Sequence, residues 1–436
     1  MKRYNILLIL FLLPIITICA QVTSEKQRPL IFSDAPSVND TTVVDTIAVD
    51  SLSADCLLND SASIDSLLPW PERLCYRVER LLKDKMFETT TVGLQIYDLT
   101  ADSVLYQYNE KQCMRPASTM KMINAVTTLD KLGGSYLFNT QLRYTGEIDS
   151  CVLRGNLYCV GGMDPRFAKD DMRAFVESIK KLGIDTIRGN IYADVSFKDS
   201  DLLGEGWCWD DKNPQLTPLL YSGKNTFLSH LCQELQRDNI ILIGDTLYGE
   251  RPKQSHEICT RTHTMDQILM RMMKKSDNLY AECMFYQLAA SMGDKKASAK
   301  SGRREVNRLI TKLGFRPSDY YIADGSGLSL YNYVSPELEV AFLKYAYRNL
   351  NIFNHLYPSM PIAGVDGTLE NRMKRGFAHN NVKAKTGTVT AVSALAGYCT
   401  AANGHQLCFS IINMGIRKAA YGRNFQDRLC EAMCRP

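Results

Sequence analysis

The chain has 436 residues and a formal net charge of +4, with 14 cysteines and 6 histidines. The cysteines are too dilute for a disulfide scaffold and no pair shows zinc spacing; His256 and His263 stand seven apart, not the four of a zinc-binding helix, so no metal and no cofactor is expected. The cations are scattered without aromatic interleaving, which leaves no footprint for nucleic acid.

Lys2 and Arg3 precede an apolar run from Ile6 to Ile18, and Cys19-Ala20 stands before Gln21. This pattern reads as a signal peptide over residues 1–20, cut after Ala20. The run is short for a transmembrane span, so no stable membrane span is expected after cleavage. An uncleaved anchor and a lipid on Cys19 are the alternatives, and Ile18 is a poor residue before a lipidated cysteine. Residues 21–68 form an acidic linker with Asp34 and then Asp40, Asp45, Asp50, Asp55, Asp60 and Asp65, the last six at five-residue spacing. One sign of charge and sparse aromatics argue for an extended, poorly ordered tether. Residues 1–68 carry −4 against +4 for the whole chain, which leaves +8 for the rest.

The remaining 368 residues exceed what one core usually accommodates. Runs 91–97 and 103–109 read as the first strands. Pro116 marks a helix start, and Met120, Ile123, Val126, Thr127 and Leu129 follow at helical intervals. Strand-like runs at 141–144, 151–160 and 186–192 surround a helix at 172–182. Thr264 and Gln267 form a capping box before the apolar face of Ile268, Leu269, Met272 and Met273. A polar turn at 276–278 separates this helix from the next. Strands follow at 382–389, 394–399 and 406–414, then a helix over 417–434. The two ends of the chain therefore build one sheet, which that helix covers.

Three triplets carry the chemistry: Ser118-x-x-Lys121, Ser276-Asp277-Asn278 and Lys385-Thr386-Gly387. Ser118 falls in the first turn of a helix, beside free N–H groups and the positive end of the dipole. Lys121 shares its face and is a base when neutral; burial or a neighbouring cation lowers its pKa, and Lys385 is the obvious cation. Ser276 can relay a proton, and the Asn278 amide can hold a peptide in register. Lys385 and Thr386 suit a terminal carboxylate. Gly387 in a strand implies a close approach, for which substrate is the expected partner. The N–H groups of Ser118 and Thr388 make the expected oxyanion hole. Each triplet alone also fits an ordinary turn or edge strand; the ordered set is the signal.

With these residues in place, the chain resembles the D-alanyl-D-alanine carboxypeptidase/endopeptidase family of the penicillin-binding protein 4 type, the class C low-molecular-mass penicillin-binding proteins. The similarity runs from about Thr91 to the C-terminus. It includes Gly155-Asn156-Leu157-Tyr158, Gly161-Gly162-Met163-Asp164-Pro165, residues 206–211, residues 324–329 and residues 361–369. The resemblance implies an α+β fold of the β-lactamase/transpeptidase-like type, an antiparallel sheet flanked by helices, with an inserted α+β domain. The expected division is a catalytic domain from 69–139 and 256–436, with the insertion at 140–255 and its work in substrate choice. Asp164 is then a candidate contact for the amine of a diamino-acid side chain. It fits equally a turn residue before Pro165, and Met163 departs from the family's Gly-Gly-Gly-Asp-Pro run.

The implied activity is cleavage of D-Ala-D-Ala or of cross-links in peptidoglycan stem peptides through an acyl-Ser118 intermediate. β-Lactams are the implied covalent inhibitors, and the implied location is periplasmic or otherwise in the cell envelope. The +8 body suits an anionic wall polymer, although a surplus of this size is common. Export permits disulfides among the thirteen cysteines left without Cys19, with Cys430–Cys434 and Cys151–Cys159 as candidates. A β-lactamase or esterase using the same site, and an inert wall-binding protein, are the competing readings.

Overall fold

A computed structural model describes residues 65–436, apart from 66, 211 and 212. The expected signal peptide, Cys19 and the acidic segment up to residue 64 lie outside the described residues. Among the described residues no helix is long and apolar enough to cross a membrane.

The chain runs through α1 (Trp70–Leu82), β1 (Thr91–Asp98), β2 (Ser103–Tyr108) and α2 (Met120–Leu132). It then passes through β3 (Leu137–Tyr144), β4 (Glu147–Asp149), β5 (Val152–Arg154), β6 (Leu157–Val160) and α3 (Lys169–Lys181). Next come β7 (Thr186–Arg188), β8 (Ile191–Asp194), α4 (Phe227–Arg237), β9 (Ile241–Ile243), β10 (Thr246–Tyr248) and β11 (His256–Thr264). Helices α5 (Met265–Lys274), α6 (Asn278–Ala290), α7 (Ala299–Lys312), α8 (Pro336–Arg348) and α9 (Leu350–Ser359) follow. The chain closes with β12 (Lys383–Val389), β13 (Val392–Thr400), β14 (Gln406–Met414) and α10 (Ala419–Cys434).

The first and last strands join in one antiparallel sheet of order β12-β13-β14-β1-β2. Strand periodicity sends alternate residues to two cores. Leu407, Phe409 and Ile411 pack with Leu74 and Val78 of α1 and Leu429 and Met433 of α10. Tyr398 and Cys408 face the opposite layer, where α2, α5, α6 and α8 pack. Helix α6 is buried continuously from Leu279 to Ala289, as befits a helix apolar on every side. Its N-terminus is thereby fixed in the middle of the molecule. The fold is the antiparallel sheet flanked by helices expected above.

Residues 137–264 form two further sheets, β10-β8-β6-β3-β11 and β4-β5-β7-β9, around a core of their own. The sequence suggests single strands at 151–160 and 186–192; each is in fact two short strands in different sheets. The cause is a repeated bend, Arg154-Gly155-Asn156 and Arg188-Gly189-Asn190, with Gly244-Asp245 as a third copy. Asn156 Oδ1 accepts from Asn190 N at 2.8 Å, and Asn190 Oδ1 accepts from Asp245 N at 2.9 Å. The bends stack so closely that a Cβ on Gly189 would lie 2.0 Å from Gly155 O. Each long strand thus crosses from one sheet to the other at a glycine, which alternation alone does not reveal.

The proposed disulfide candidates are free thiols here. Cys430 and Cys434 are one turn apart on α10, and Cys151 is exposed while Cys159 is buried in β6.

Candidate active site

Ser118 lies in a 3-10 turn, Ala117–Thr119, that leads into α2. Ala117 has φ +48°, a left-handed conformation that costs a non-glycine residue about 1–2 kcal/mol. The strained turn is held from behind. Thr119 Oγ1 shares its one proton between Pro116 O at 2.8 Å and Glu339 Oε1 at 2.5 Å, and Glu339 Oε2 accepts from Ser410 Oγ at 2.6 Å. Glu339, on α8, thus ties the serine turn to β14.

Burial pushes the Glu339 carboxyl up to about 7, against the lowering effect of its two hydroxyl donors. The folded protein therefore holds this proton more tightly than the unfolded chain, where the group titrates near 4.5. That contribution is full below about pH 4.5 and is lost as pH rises through about 7. A Glu339→Gln variant lacks the titration. Its thermal midpoint should therefore gain on the wild type as pH rises across this window; a difference that does not vary with pH would show that Glu339 does not titrate there.

Lys121 is wholly buried, and its Nζ has three neighbours: Asn278 Oδ1 at 2.7 Å, Ser326 O at 2.7 Å and Ser118 Oγ at 2.9 Å. Two of these are carbonyl oxygens and only accept. A neutral amine donates its two N–H bonds to them and turns its lone pair to the Ser118 hydroxyl. Burial lowers the Lys121 pKa to about 8, while the charges of Asp324, Glu282 and Asp277 oppose the shift. Of the two causes the sequence offers, burial and a neighbouring cation, desolvation is the dominant one, because the cluster around Lys121 is sealed by α6 and the 324–329 loop.

Ser276 and Asn278 sit where α5 gives way to α6. The capping box at Thr264 and Gln267 starts α5, with Gln267 N donating to Thr264 Oγ1 at 3.3 Å. Ser276 has φ +56°, which breaks the helix, and Asp277 then caps α6 by accepting from Tyr280 N. Ser276 and Asn278 are half-buried and so remain open to a ligand from one side.

Lys385 is buried on β12 and donates to Ser276 Oγ at 2.8 Å and to Thr386 O at 2.7 Å. Burial, with repulsion from Lys121, holds its pKa well below the usual lysine range. Thr386 shares a hydrogen bond with Thr368 at 2.8 Å. The Ala384 N–H leaves the sheet for Pro361 O, so the alternation of β12 turns the N–H groups of Thr386 and Thr388 to the same open edge. Thr388 itself is exposed. Gly387 does mark a close approach, but its partner is the protein: a Cβ there would lie 2.6 Å from Pro116 O and 3.1 Å from Ser118 N.

Asp164 stands apart from this group. Its side chain is buried, with Oδ1 accepting from Arg166 N at 2.9 Å and Oδ2 paired with His263 Nδ1 at 2.7 Å. Met163 beside it takes φ +54°, the left-handed backbone for which glycine is better suited. The turn rests on α6, where Gln287 Nε2 donates to Gly162 O. Tyr280, in the first turn of α6, feels the charges of both Asp164 and Asp277, so Asp164 lies toward the motif end of that helix.

Three participants have no role in the sequence reading. Ser326 supplies a backbone carbonyl, which any residue could supply, so its identity gives no signal. Asp324 fixes the loop that carries this carbonyl, accepting from Gly327 N, Ser329 N, Trp207 Nε1 and Asn332 Nδ2 at 2.6–2.8 Å. Glu282 is buried on α6 one turn after Asn278. Only the resemblance of residues 324–329 and 206–211 to family segments marks part of this set in advance.

A family model described as the D-Ala-D-Ala carboxypeptidase 3 (S13) family matches residues 74–220 and 213–434. The chain is 27% identical over 413 residues to the D-alanyl-D-alanine carboxypeptidase DacB of Haemophilus influenzae, covering 75% of this chain and 86% of that protein. It is 26% identical over 445 residues to a D-alanyl-D-alanine carboxypeptidase of an Actinomadura species, covering 78% and 80%. Penicillin binding protein 4 (dacB) from Haemophilus influenzae has a similar fold, with a TM-score of 0.74 at 24% identity over 81% of this chain and 97% of that one. The family match spans nearly all the described residues, including the three triplets: the chain belongs to the D-Ala-D-Ala carboxypeptidase 3 (S13) family.

Proposed function

We propose that this chain, a serine-type D-Ala-D-Ala carboxypeptidase by family, works through Ser118 as nucleophile and neutral Lys121 as its base. The observation that carries this reading is the three-way coordination of Lys121 Nζ, which leaves its lone pair for the Ser118 proton. Ser118 Oγ attacks the carbonyl of the penultimate D-alanine in a peptidoglycan stem peptide as its proton passes to Lys121. The oxyanion rests on the N–H groups of Ser118 and Thr388. The C–N bond then breaks; Ser276 gives its proton to the leaving nitrogen and is replenished from the lysines around it. Water attacks the acyl-Ser118 ester and returns the enzyme. If the leaving amine belongs to a cross-linking diamino acid, the same steps make an endopeptidase.

Substrate binding assists the base. A terminal carboxylate beside Lys385 and Thr386 favours the ammonium form of Lys385, and that charge in turn favours neutral Lys121. Asp164 is the proposed contact for a diamino-acid amine, reached when His263 gives up its bond. The proposed division keeps 69–139 and 256–436 as the catalytic domain and 140–255 as an insertion, supported by the separate core of the insertion. A signal peptide over residues 1–20 and a periplasmic site of action complete the proposal. β-Lactams mimic the substrate and acylate Ser118.

The pH dependence of acylation tests the role of Lys121. The second-order rate of reaction with a penicillin should fall as pH drops below about 8, the value for the buried lysine, because protonation removes the lone pair. A rate flat from pH 5 to pH 9 would remove a titrating lysine from the mechanism.

A further inference from the structure

Glu282 is a buried carboxyl that the mechanism above does not use. It lies four residues after Asn278 on α6, on the face that meets the 324–329 loop. Its Oε2 accepts from Gly325 N at 3.3 Å, and the Ser326 hydroxyl lies near enough to favour the charged carboxyl. Its Oε1 is buried with no partner. An unsatisfied oxygen at this depth is destabilising and calls for a reason. Ser326 is also the residue whose carbonyl receives a Lys121 N–H, so a single loop joins the carboxyl to the amine. Asp324 beside it has four donors on its two oxygens, whereas Glu282 has an oxygen free.

We propose that Glu282 is a positioning residue that competes with Lys121 for one buried proton and thereby sets how much of Lys121 is the free base. This rests on the reading of Lys121 as general base. The two arrangements hold the same number of protons: neutral Glu282 with neutral Lys121, or the Glu282 carboxylate with the Lys121 ammonium. Only the first has a lone pair facing Ser118. Burial, reinforced by the Asp324 charge, raises Glu282, and burial lowers Lys121, so both shifts act toward the uncharged pair.

Asp324 faces the pair from the loop, Asp277 from the start of α6 and Lys385 from β12. On α6 itself Cys283 and Tyr286 feel the Glu282 charge, and both thiol and phenol are pushed up by burial. Beyond them stand Asp164, Asp199 and Asp201, with Lys198 Nζ 4.9 Å from the Tyr286 ring. Among the carboxyls of this set, Glu282 has the buried oxygen left without a partner.

The test is the pH profile of acylation by a penicillin in the wild type and in Glu282→Gln, with Lys121→Ala as control. Glutamine keeps the acceptor for Gly325 but cannot exist as a carboxylate, so the acid limb should move to lower pH by about one unit. A folded, reactive Glu282→Gln with an unmoved limb would overturn the proposal. Unchanged acylation by Lys121→Ala would instead overturn the base assignment beneath it. Infrared difference spectra of the wild type across the same limb give a readout independent of the variant's folding. A carboxylic-acid carbonyl band that titrates with the limb is expected, and its absence would overturn the proposal.

Discussion

Replacing Lys121 by alanine lowers the second-order rate of acylation by about 10²–10⁴, the usual worth of a general base. The loss follows from geometry. Lys121 Nζ is the basic nitrogen bonded to Ser118 Oγ, and Lys385 is engaged with Ser276 and Thr386. The substitution removes a buried amine together with its desolvation penalty, so the fold should survive while Asn278 Oδ1 and Ser326 O lose a donor. Stopped-flow acylation with a chromogenic cephalosporin, alongside a thermal midpoint, separates the two effects. A folded variant that acylates at the wild-type rate would take Lys121 out of the mechanism.

The second large effect comes from Gly387→Ala. The added Cβ meets Pro116 O, Ser118 N and Ala117 Cβ at 2.6, 3.1 and 3.2 Å, all of them backbone or Cβ atoms that no rotamer change can remove. Strand β12 is at the sheet edge, so it yields by moving outward from the serine turn. Lys385 and Thr388 ride on that strand, and both the proposed carboxylate anchor and the proposed oxyanion N–H then move relative to Ser118. Misplacement on the scale of 1 Å costs about 10²-fold in rate. Acylation should fall by about that factor, while the thermal midpoint drops by far less than unfolding of the sheet requires. Unchanged acylation would show that β12 does not need this close approach.

Much of the site was legible in the sequence because its chemistry resides in side chains with fixed spacing. Ser118 and Lys121 are three apart on one helical turn, and Ser276 to Asn278 stand at the break after the helix that the Thr264 capping box announces. Alternation from Val382 to Val389 marked β12. What escaped was carried by backbone or by burial. Ser326 contributes a carbonyl, Glu282 is a single carboxyl buried in a mostly apolar helix, and Glu339 is bonded to residues far away in the chain. For the lowering of Lys121 the sequence offers burial or a neighbouring cation and names only the cation, Lys385, because a motif displays a charge and does not display depth. Gly387 was read as making room for substrate, because the serine turn packed against it is 269 positions away. In the 137–264 region the run at 141–144 extends back to Leu137, while the runs at 151–160 and 186–192 are each two strands. The bends at Gly155 and Gly189 redirect each strand into a second sheet without interrupting its periodicity.

The most direct test of the account is the time course of a fluorescent penicillin on the protein and on its Ser118→Ala variant, followed as labelled protein. The account predicts a lasting label on the wild type, mapped by peptide mass to Ser118, and none on the variant. Rapid loss of label with hydrolysis of the drug, or equal labelling of the variant, would contradict it.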